Sequence, residues 1–149
     1  MNAIILAMAL VGQAPWIMPA PCTASGAITS SSFSCTGHVS TPVYPVSSGT
    51  ATATIDAANG DSQSLNLASA TGTVTVTLAN FVAGDTLTLT IIQHASAPQT
   101  IAWTGGSTVV KWPGATVPTI TATNSAVDEV SCKCTSTHNF NCVWVGNFS

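Results

Sequence analysis

The sequence predicts an all-β fold, a jelly-roll-like β-sandwich of about eight or nine short antiparallel strands with an extended N-terminal arm. Three observations support this prediction. From position 50 onward, β-branched and aliphatic residues recur at every second position between turn residues, as they do in strands with one covered face. No sustained 3.6-residue pattern accompanies them. The 149 residues suffice for one domain and an arm.

The predicted strands are short and closely spaced. They occupy residues 50–55, 64–68, 73–79, 86–93, 99–103, 108–112, 119–123, 127–135 and 140–145. In the third of them Val74, Val76 and Leu78 alternate with threonines, so the aliphatic side chains face one side of the sheet. This alternation favours antiparallel strands. A β-solenoid would show it too, but the absence of a repeat of fixed period favours the sandwich.

Residues 1–49 differ in composition from the rest of the chain. They hold most of the prolines and many serines, and they show little periodicity, which is typical of an extended linker or attachment segment. Apolar residues that a disordered linker would lack are also present, namely Trp16, Ile17, Phe33 and Tyr44. We therefore interpret 1–49 as an attachment arm and 50–149 as a β-module. No positive charge precedes the apolar run 3–11, which favours a retained arm over a secretory signal.

Charge is scarce in this chain. Charged residues make up 5% of it, the only cations are Lys111 and Lys133, and the net charge is -3. Nucleic acid is not an expected partner, because neutralising phosphates requires several Lys or Arg side chains. A membrane is not expected either, because the run 3–11 is far shorter than the roughly 20 residues of a spanning helix. A surface so poor in charge predicts contact with other copies of the chain.

The sequence offers no clear constellation for catalysis, metal binding or a cofactor. The acids fall mostly at turns or strand starts, the histidines lie in the arm or at strand ends, and no Ser occupies a nucleophile elbow. Potential zinc ligands are Cys132, Cys134, His138 and Cys142. On a strand, however, residues two apart stand about 7 Å apart, too far for thiolates that share one ion. We therefore predict a non-enzymatic protein without metal or cofactor.

The five cysteines leave several covalent states open. Cys132 and Cys134 share one face of a predicted strand, where they fit as small buried apolar groups. Two disulfides are candidates: Cys134 with Cys142, across a hairpin that turns around 137–139, and Cys22 with Cys35, within the arm. In a reducing cytoplasm free thiols are the default.

The stretch 100–120 contains two tryptophans beside turn sequences. Trp103 precedes a Gly-Gly turn, and Trp112 opens a Trp-Pro-Gly corner. Three roles are open for these rings: core packing, a subunit interface, or a stacking platform for a sugar. The candidate residues for an interface or ligand platform are Trp103, Lys111, Trp112 and Pro113.

Three runs in the second half of the chain carry a family resemblance. They read VTVTLANFVAGDTLTLTIIQ, IAWTGGSTVVKWPGATVPTITATNSAVDEVSC and, at the end, WVGNFS. In this order they resemble the C-terminal β-domain of tailed-phage virion surface proteins, which include fibre, tail and capsid-decoration proteins. The matching positions are Asn80, Gly84, Thr86, Trp103, Lys111, Trp112, Pro113, Pro118, Asp128, Asn147 and Phe148. The chain departs from the family at Ala115, where Gly is usual, and in the cysteine-bearing hairpin.

The resemblance implies a structural protein of a phage virion exterior, assembled in the host cytoplasm. The brevity of the chain favours a capsid decoration or cement protein, expected as a trimer, whose arm binds another virion protein such as the major capsid protein. A short tail-fibre or tail-tip subunit that binds a host glycan is the first alternative. An extracellular subunit of a secreted microbial filament or adhesin is the second.

Overall fold

The structure is a computed structural model that describes residues 42–103 and 109–148, together with the backbone of two short strands before them. The chain divides into two compact units, residues 1–40 and 41–149. In the first unit, β1 (Trp16–Met18) pairs in parallel with β2 (Phe33–Cys35). The side chains predicted to make arm contacts from these strands, those of Trp16, Ile17 and Phe33, lie outside the described residues.

The described part of the second unit is built from strands and short turns. The strands are β3 (Tyr44–Ser47), β4 (Thr52–Asp56), β5 (Ser62–Asn66), β6 (Thr73–Ala79), β7 (Thr86–Ile92), β8 (Thr100–Trp103), β9 (Val109–Lys111), β10 (Val127–Ser136) and β11 (Asn139–Phe148). Helical structure in the described ranges is limited to two 3₁₀ turns, Ala57–Asn59 and Pro113–Ala115. Nowhere in those ranges does a helix have the length and hydropathy to span a bilayer. The all-β prediction is confirmed.

The strands form two sheets that enclose one core. The larger sheet has the order β3-β5-β7-β10-β11-β9, and the smaller has the order β4-β6-β8. Strands β3, β5 and β7 pair in parallel, and so do β4, β6 and β8. The chain therefore passes from one sheet to the other and advances by one strand per coil, which makes a β-solenoid of about three coils. An antiparallel hairpin, β10 and β11, then extends the larger sheet from β7.

The prediction of a jelly roll of antiparallel strands is wrong for β3 to β8. Inward and outward residues alternate in the same way in parallel and antiparallel strands, so the pattern does not report strand direction. The sequence also shows no repeat of fixed period, because the length of the coils changes. Tyr44 lies opposite Gln63, and Gln63 lies opposite Leu89, so the sequence distance between stacked residues grows from 19 to 26.

Aliphatic side chains at the inward positions fill the space between the sheets. Val74, Val76 and Leu78 of β6 are buried, as their alternation with threonine predicts. Their fully buried neighbours include Ile55, Leu65, Leu67, Leu87, Leu89, Ile91 and Val130. Each such side chain stabilises the fold by about 1.5–3 kcal/mol relative to an exposed one.

Buried glutamines satisfy backbone groups at the corners of the coils. The Gln63 side chain donates to the carbonyl oxygens of Asp56 and Gly60, at 2.7 and 2.8 Å. The Gln93 side chain accepts from the backbone N–H of Gln99 at 2.9 Å and donates to the Gln99 carbonyl at 3.0 Å. These corners can therefore be buried without leaving their backbone groups unsatisfied.

Candidate functional site

The β10–β11 hairpin carries the disulfide of the described module. Cys132 lies opposite Cys142, their Cα atoms are 4.1 Å apart, and the two are bonded. The candidate bond between Cys134 and Cys142 is therefore wrong, and so is the default of free thiols for Cys132 and Cys142. Cys134 is a buried free thiol opposite Phe140. The disulfide also removes two of the four side chains considered as zinc ligands, and the described residues contain no group of three metal-binding side chains. The candidate bond of Cys22 with Cys35 lies outside the described side chains.

A short turn and a bulge in the hairpin together explain the cysteine pairing. The turn is one residue shorter than predicted: it spans 137–138, Ser136 lies opposite Asn139, and His138 has φ 67°. The register then shifts between Cys134 and Ser136, so Thr135 is an extra residue on β10. The shorter turn and this insertion together place Cys132, two positions before Cys134, opposite Cys142, and neither can be read from the alternation of the flanking residues.

Asp128 fastens three segments of the chain together. Its buried carboxylate accepts hydrogen bonds from the Thr121 backbone N–H at 2.6 Å, the Thr121 hydroxyl at 2.7 Å and the Asn147 backbone N–H at 2.9 Å. Residues 119–123, predicted as a strand, are irregular, because Thr121 is bound to this carboxylate instead of a sheet partner. Asp128, Thr121 and Asn147 form what we call the carboxylate latch.

The carboxylate latch requires glycine at the neighbouring position 146. A β-carbon on Gly146 would overlap the ring of Trp144 and would lie 2.6 Å from Oδ1 of Asp128. At position 146 the backbone itself packs against Trp144 and Asp128, without room for a side chain. Asp128 and Asn147 are both positions of the phage-domain resemblance, and the structure places them in contact.

The two tryptophans of the 100–120 stretch pack against each other. Trp103 and Trp112 are 8% and 7% exposed, and their rings meet edge to face with centroids 5.3 Å apart. Of the three roles considered for them, core packing is the one that this geometry shows. Neither indole N–H has a hydrogen-bond partner among the described residues. Lys111 and Pro113 are exposed, so their role in an interface or ligand platform stays a prediction. The Gly-Gly turn lies outside the described residues.

A polar contact links the corners of successive coils. The side-chain amide of Asn80, a residue with φ 61°, donates to both carboxylate oxygens of Asp56 at 2.9 Å. Asp56 also accepts from the backbone N–H of Ala58 at 2.9 Å. The Ala58 N–H, and then the Asn80 amide, lower the pKa of Asp56. The folded protein therefore favours the ionised form of the Asp56 carboxyl group.

Burial lowers the reactivity of Cys134, the free thiol of the hairpin. Desolvation raises the pKa of Cys134, and the nearby Asp85 carboxylate raises it further. A thiol with a raised pKa is a poor nucleophile, because the thiolate is the reactive form. The interpretation of Cys134 as a small apolar core residue agrees with this position.

The outward face of the smaller sheet is a neutral array of threonines. Parallel pairing sets Thr52 opposite Thr75, Thr54 opposite Thr77, and Thr73 opposite Thr100. Rows of identical side chains in register arise because the coils stack without a register shift in this sheet.

Taken together, the fold and these contacts define a β-solenoid module closed by a disulfide-bonded and latched hairpin. Comparison of the chain with known protein families, with characterised proteins and with solved structures finds no match. Functional interpretation therefore starts from the surfaces of the module and from the residues that hold it.

Two functional arrangements were missed by sequence reasoning. Asp128 was grouped with the acids that fall at turns or strand starts, although it shares the inward register of Val130 and Cys132. Gln63 likewise shares the inward register of Leu65. A polar residue at an inward position of an alternating strand is the signal that identifies such buried contacts.

Proposed function

We propose that this chain is a non-enzymatic structural protein of a phage virion exterior. The observation that carries the proposal is the combination of a latched module with an outer surface that has few charges and is rich in exposed apolar side chains. Large apolar residues exposed by about half or more in the second compact unit, residues 41–149, are Val43, Tyr44, Val82, Val109, Val117, Val143, Val145 and Phe148. Such a surface suits contact with other subunits.

The preferred role is that of a capsid decoration or cement protein that self-associates through the β-module. The arm, residues 1–49, would bind the major capsid protein or another virion protein. The resemblance to phage virion domains supports this role, because its matched residues include both partners of the hydrogen bond between Asn147 and Asp128.

Truncation at residue 40 tests the attachment role of the arm. The cut falls between the two compact units and leaves β3 paired with β5. We expect the truncated protein to fold and to self-associate but not to bind particles that lack the native protein, as measured by co-sedimentation. Binding equal to that of the full chain would contradict the role of the arm.

A short tail-fibre or tail-tip subunit that binds a host glycan is the second candidate. The stacked coils favour it, because they display in-register rows of threonine hydroxyls that suit repeated polar contacts. Copy number separates the two roles, since a capsid protein is present in hundreds of copies per particle and a tail protein in three to a few dozen. Quantitative mass spectrometry of purified particles measures this number.

A secreted filament or adhesin subunit is the third candidate. The disulfide between Cys132 and Cys142 favours it, because disulfides persist in oxidising compartments. Mass spectrometry of the native protein distinguishes this candidate, for which a processed N-terminus is expected, from a virion protein with a retained arm.

A further inference from the structure

One end of the larger sheet carries most of the exposed charge of the described module. Strands β5, β7, β11 and β9 begin at this end, and β10 ends there because it runs antiparallel to β7 and β11. We call this end the charged rim, and its defining residues are Asp61, Val82, Asp85, Val109, Lys111 and Lys133. Glu129, by contrast, lies near the start of β10, at the opposite end.

The acidic half of the charged rim lies at the entrances to β5 and β7. Asp61 and Asp85 line the same pocket of about 310 Å³. The Asp85 carboxylate accepts a hydrogen bond from the Val82 backbone N–H at 2.8 Å, which fixes the loop between them. The Val82 side chain is 61% exposed. This half therefore combines carboxylates with an uncovered apolar group.

The basic half of the charged rim lies on β10 and β9. Lys133 is opposite Asn141 on β11, and Asn141 is opposite Lys111 on β9, so both lysines stand in one row on the outward face. Two strand spacings separate them, about 10 Å. They are the only cations of the chain. Val109, beside them, is 47% exposed.

The outermost charges of the two halves are far apart, whereas Asp85 and Lys133 are neighbours, because Lys133 lies opposite Thr86 on the adjacent strand. Four strand spacings lie between β5 and β9, about 19 Å. The hydrogen bonds of Asp85 and Asp56 go to Val82, Ala58 and Asn80, not to either lysine. A surface whose two ends carry opposite charge and one exposed valine each is complementary to a second copy of itself.

We propose that the acidic half of the charged rim of one copy binds the basic half of the next copy, with Val82 packed against Val109. The contact is heterologous, because each copy contributes different halves to its two neighbours, and such a contact closes into a ring when the rotation is suitable. A ring of three copies matches the expected trimer. This inference rests on the self-association in the proposed function and names the surface responsible for it.

Charge complementation between two full-length variants tests the contact. The acidic-half variant is Asp61→Lys with Asp85→Asn, because asparagine keeps an oxygen acceptor for the Val82 N–H. The basic-half variant is Lys111→Glu with Lys133→Glu. Each variant alone brings like charges together, and we expect its self-association to weaken at least about ten-fold. In an equimolar mixture each favourable contact joins the two different variants, so we expect dimers and other even-numbered oligomers that contain both, in place of a closed ring of three. Sedimentation and native mass spectrometry measure them.

Matched controls separate the charged rim from general charge effects. Glu129→Lys reverses a charge at the opposite end of the same sheet, and Ser69→Glu with Thr123→Glu adds negative charge at exposed corner positions of that end. Both should associate like the wild type, and circular dichroism should show that all variants are folded. Wild-type association in either rim variant, or a mixture that stays dissociated, would overturn the contact while self-association stands. A monomeric wild-type chain would instead overturn the proposed function.

Discussion

The coils β3 to β8 and the hairpin β10–β11 are stabilised in different ways. The coils are held by repetition, because parallel pairing and buried aliphatic side chains recur in each turn. The hairpin is held at particular points, by one disulfide and by the carboxylate latch. In a solenoid, stability is spread over similar interfaces between neighbours. A change in one hairpin contact should therefore have a local effect, whereas a change in a central coil residue should weaken both regions.

The largest effect is expected at Leu89, on the strand shared by the two regions. Leu89 is fully buried, opposite Gln63 in one coil and Val130 in the hairpin. Leu89→Ala should lower the free energy of unfolding by about 4 kcal/mol through lost burial and the cavity left behind. Urea unfolding measures the loss. Thr88→Ala, on the exposed face, is the control and should change stability by less than about 0.5 kcal/mol.

Asp128→Ala should have the next largest effect, and its effect should be confined to the hairpin side. The change leaves the donors of Thr121 and Asn147 without their buried acceptor, which should cost about 3 kcal/mol. Hydrogen exchange should show lost protection in β10 and β11 before β4 and β6. The exposed neighbour Glu129→Ala is the matched control. Equal loss of protection in the hairpin and in the coils would contradict a local effect of this contact.

Removal of the disulfide should destabilise the hairpin to a smaller extent. Cys132 and Cys142 are separated by 10 positions, and a cross-link that closes so short a loop contributes about 2 kcal/mol. Cys132→Ala with Cys142→Ala should lower the unfolding midpoint in urea accordingly. Since Cys134 is already a free thiol, a reducing agent should not destabilise the double variant any further when residues 1–40, which contain Cys22 and Cys35, are also removed. A fully stable double variant would show that the coils alone hold the hairpin.

Two truncations compare the edge of the coils with the segment before it. Removing residues 1–40 leaves β3 in place, and the module should keep its stability within about 0.5 kcal/mol. Removing 1–49 also deletes β3 and the partly buried Val46, which should cost about 1–2 kcal/mol. Thermal unfolding monitored by circular dichroism compares the two. Equal stability of both proteins would show that β3 does not belong to the cooperative module.

The smallest effect concerns the pH dependence of the Asp56 corner. The pKa of Asp56 is lowered from its ordinary value of 3.8 in the folded protein, so this group stabilises the fold above that pH. The contribution is lost as the pH falls below 3.8 and the carboxylate takes up a proton. Asp56→Asn should flatten this part of the stability profile, and Asp61→Asn is the control. If the dependence of stability on pH were unchanged in Asp56→Asn, the Asp56 corner would not contribute to it.

The sequence predicted the strands and their inward faces well, because burial imposes a period of two that is visible in β6 and β7. It did not predict strand direction, because the same period serves parallel and antiparallel pairs. The position of the turn between β10 and β11 was nearly correct, but the turn is one residue shorter than predicted. The pairing of Cys142 was wrong, since the shorter turn and the extra residue Thr135 together change its partner by two positions, which leaves the same side chains facing inward.

The candidate site was harder to predict than the fold. Asp128 and Asn147 were recognised as positions of a resemblance, but their contact depends on residues 19 apart that meet only in the folded hairpin. The charged rim likewise depends on the order of strands in the larger sheet, which brings Lys111 beside Lys133 through Asn141. Such neighbours follow from topology, and alternation alone does not specify topology.

Electron cryomicroscopy of the native protein, in the assembly from which it is isolated, tests the central claim most directly. We predict repeated copies of the β-solenoid module on the outer surface of a particle, with neighbouring copies in contact along their charged rims. A native protein that occurs as a dispersed monomer, outside any assembly, would contradict the account.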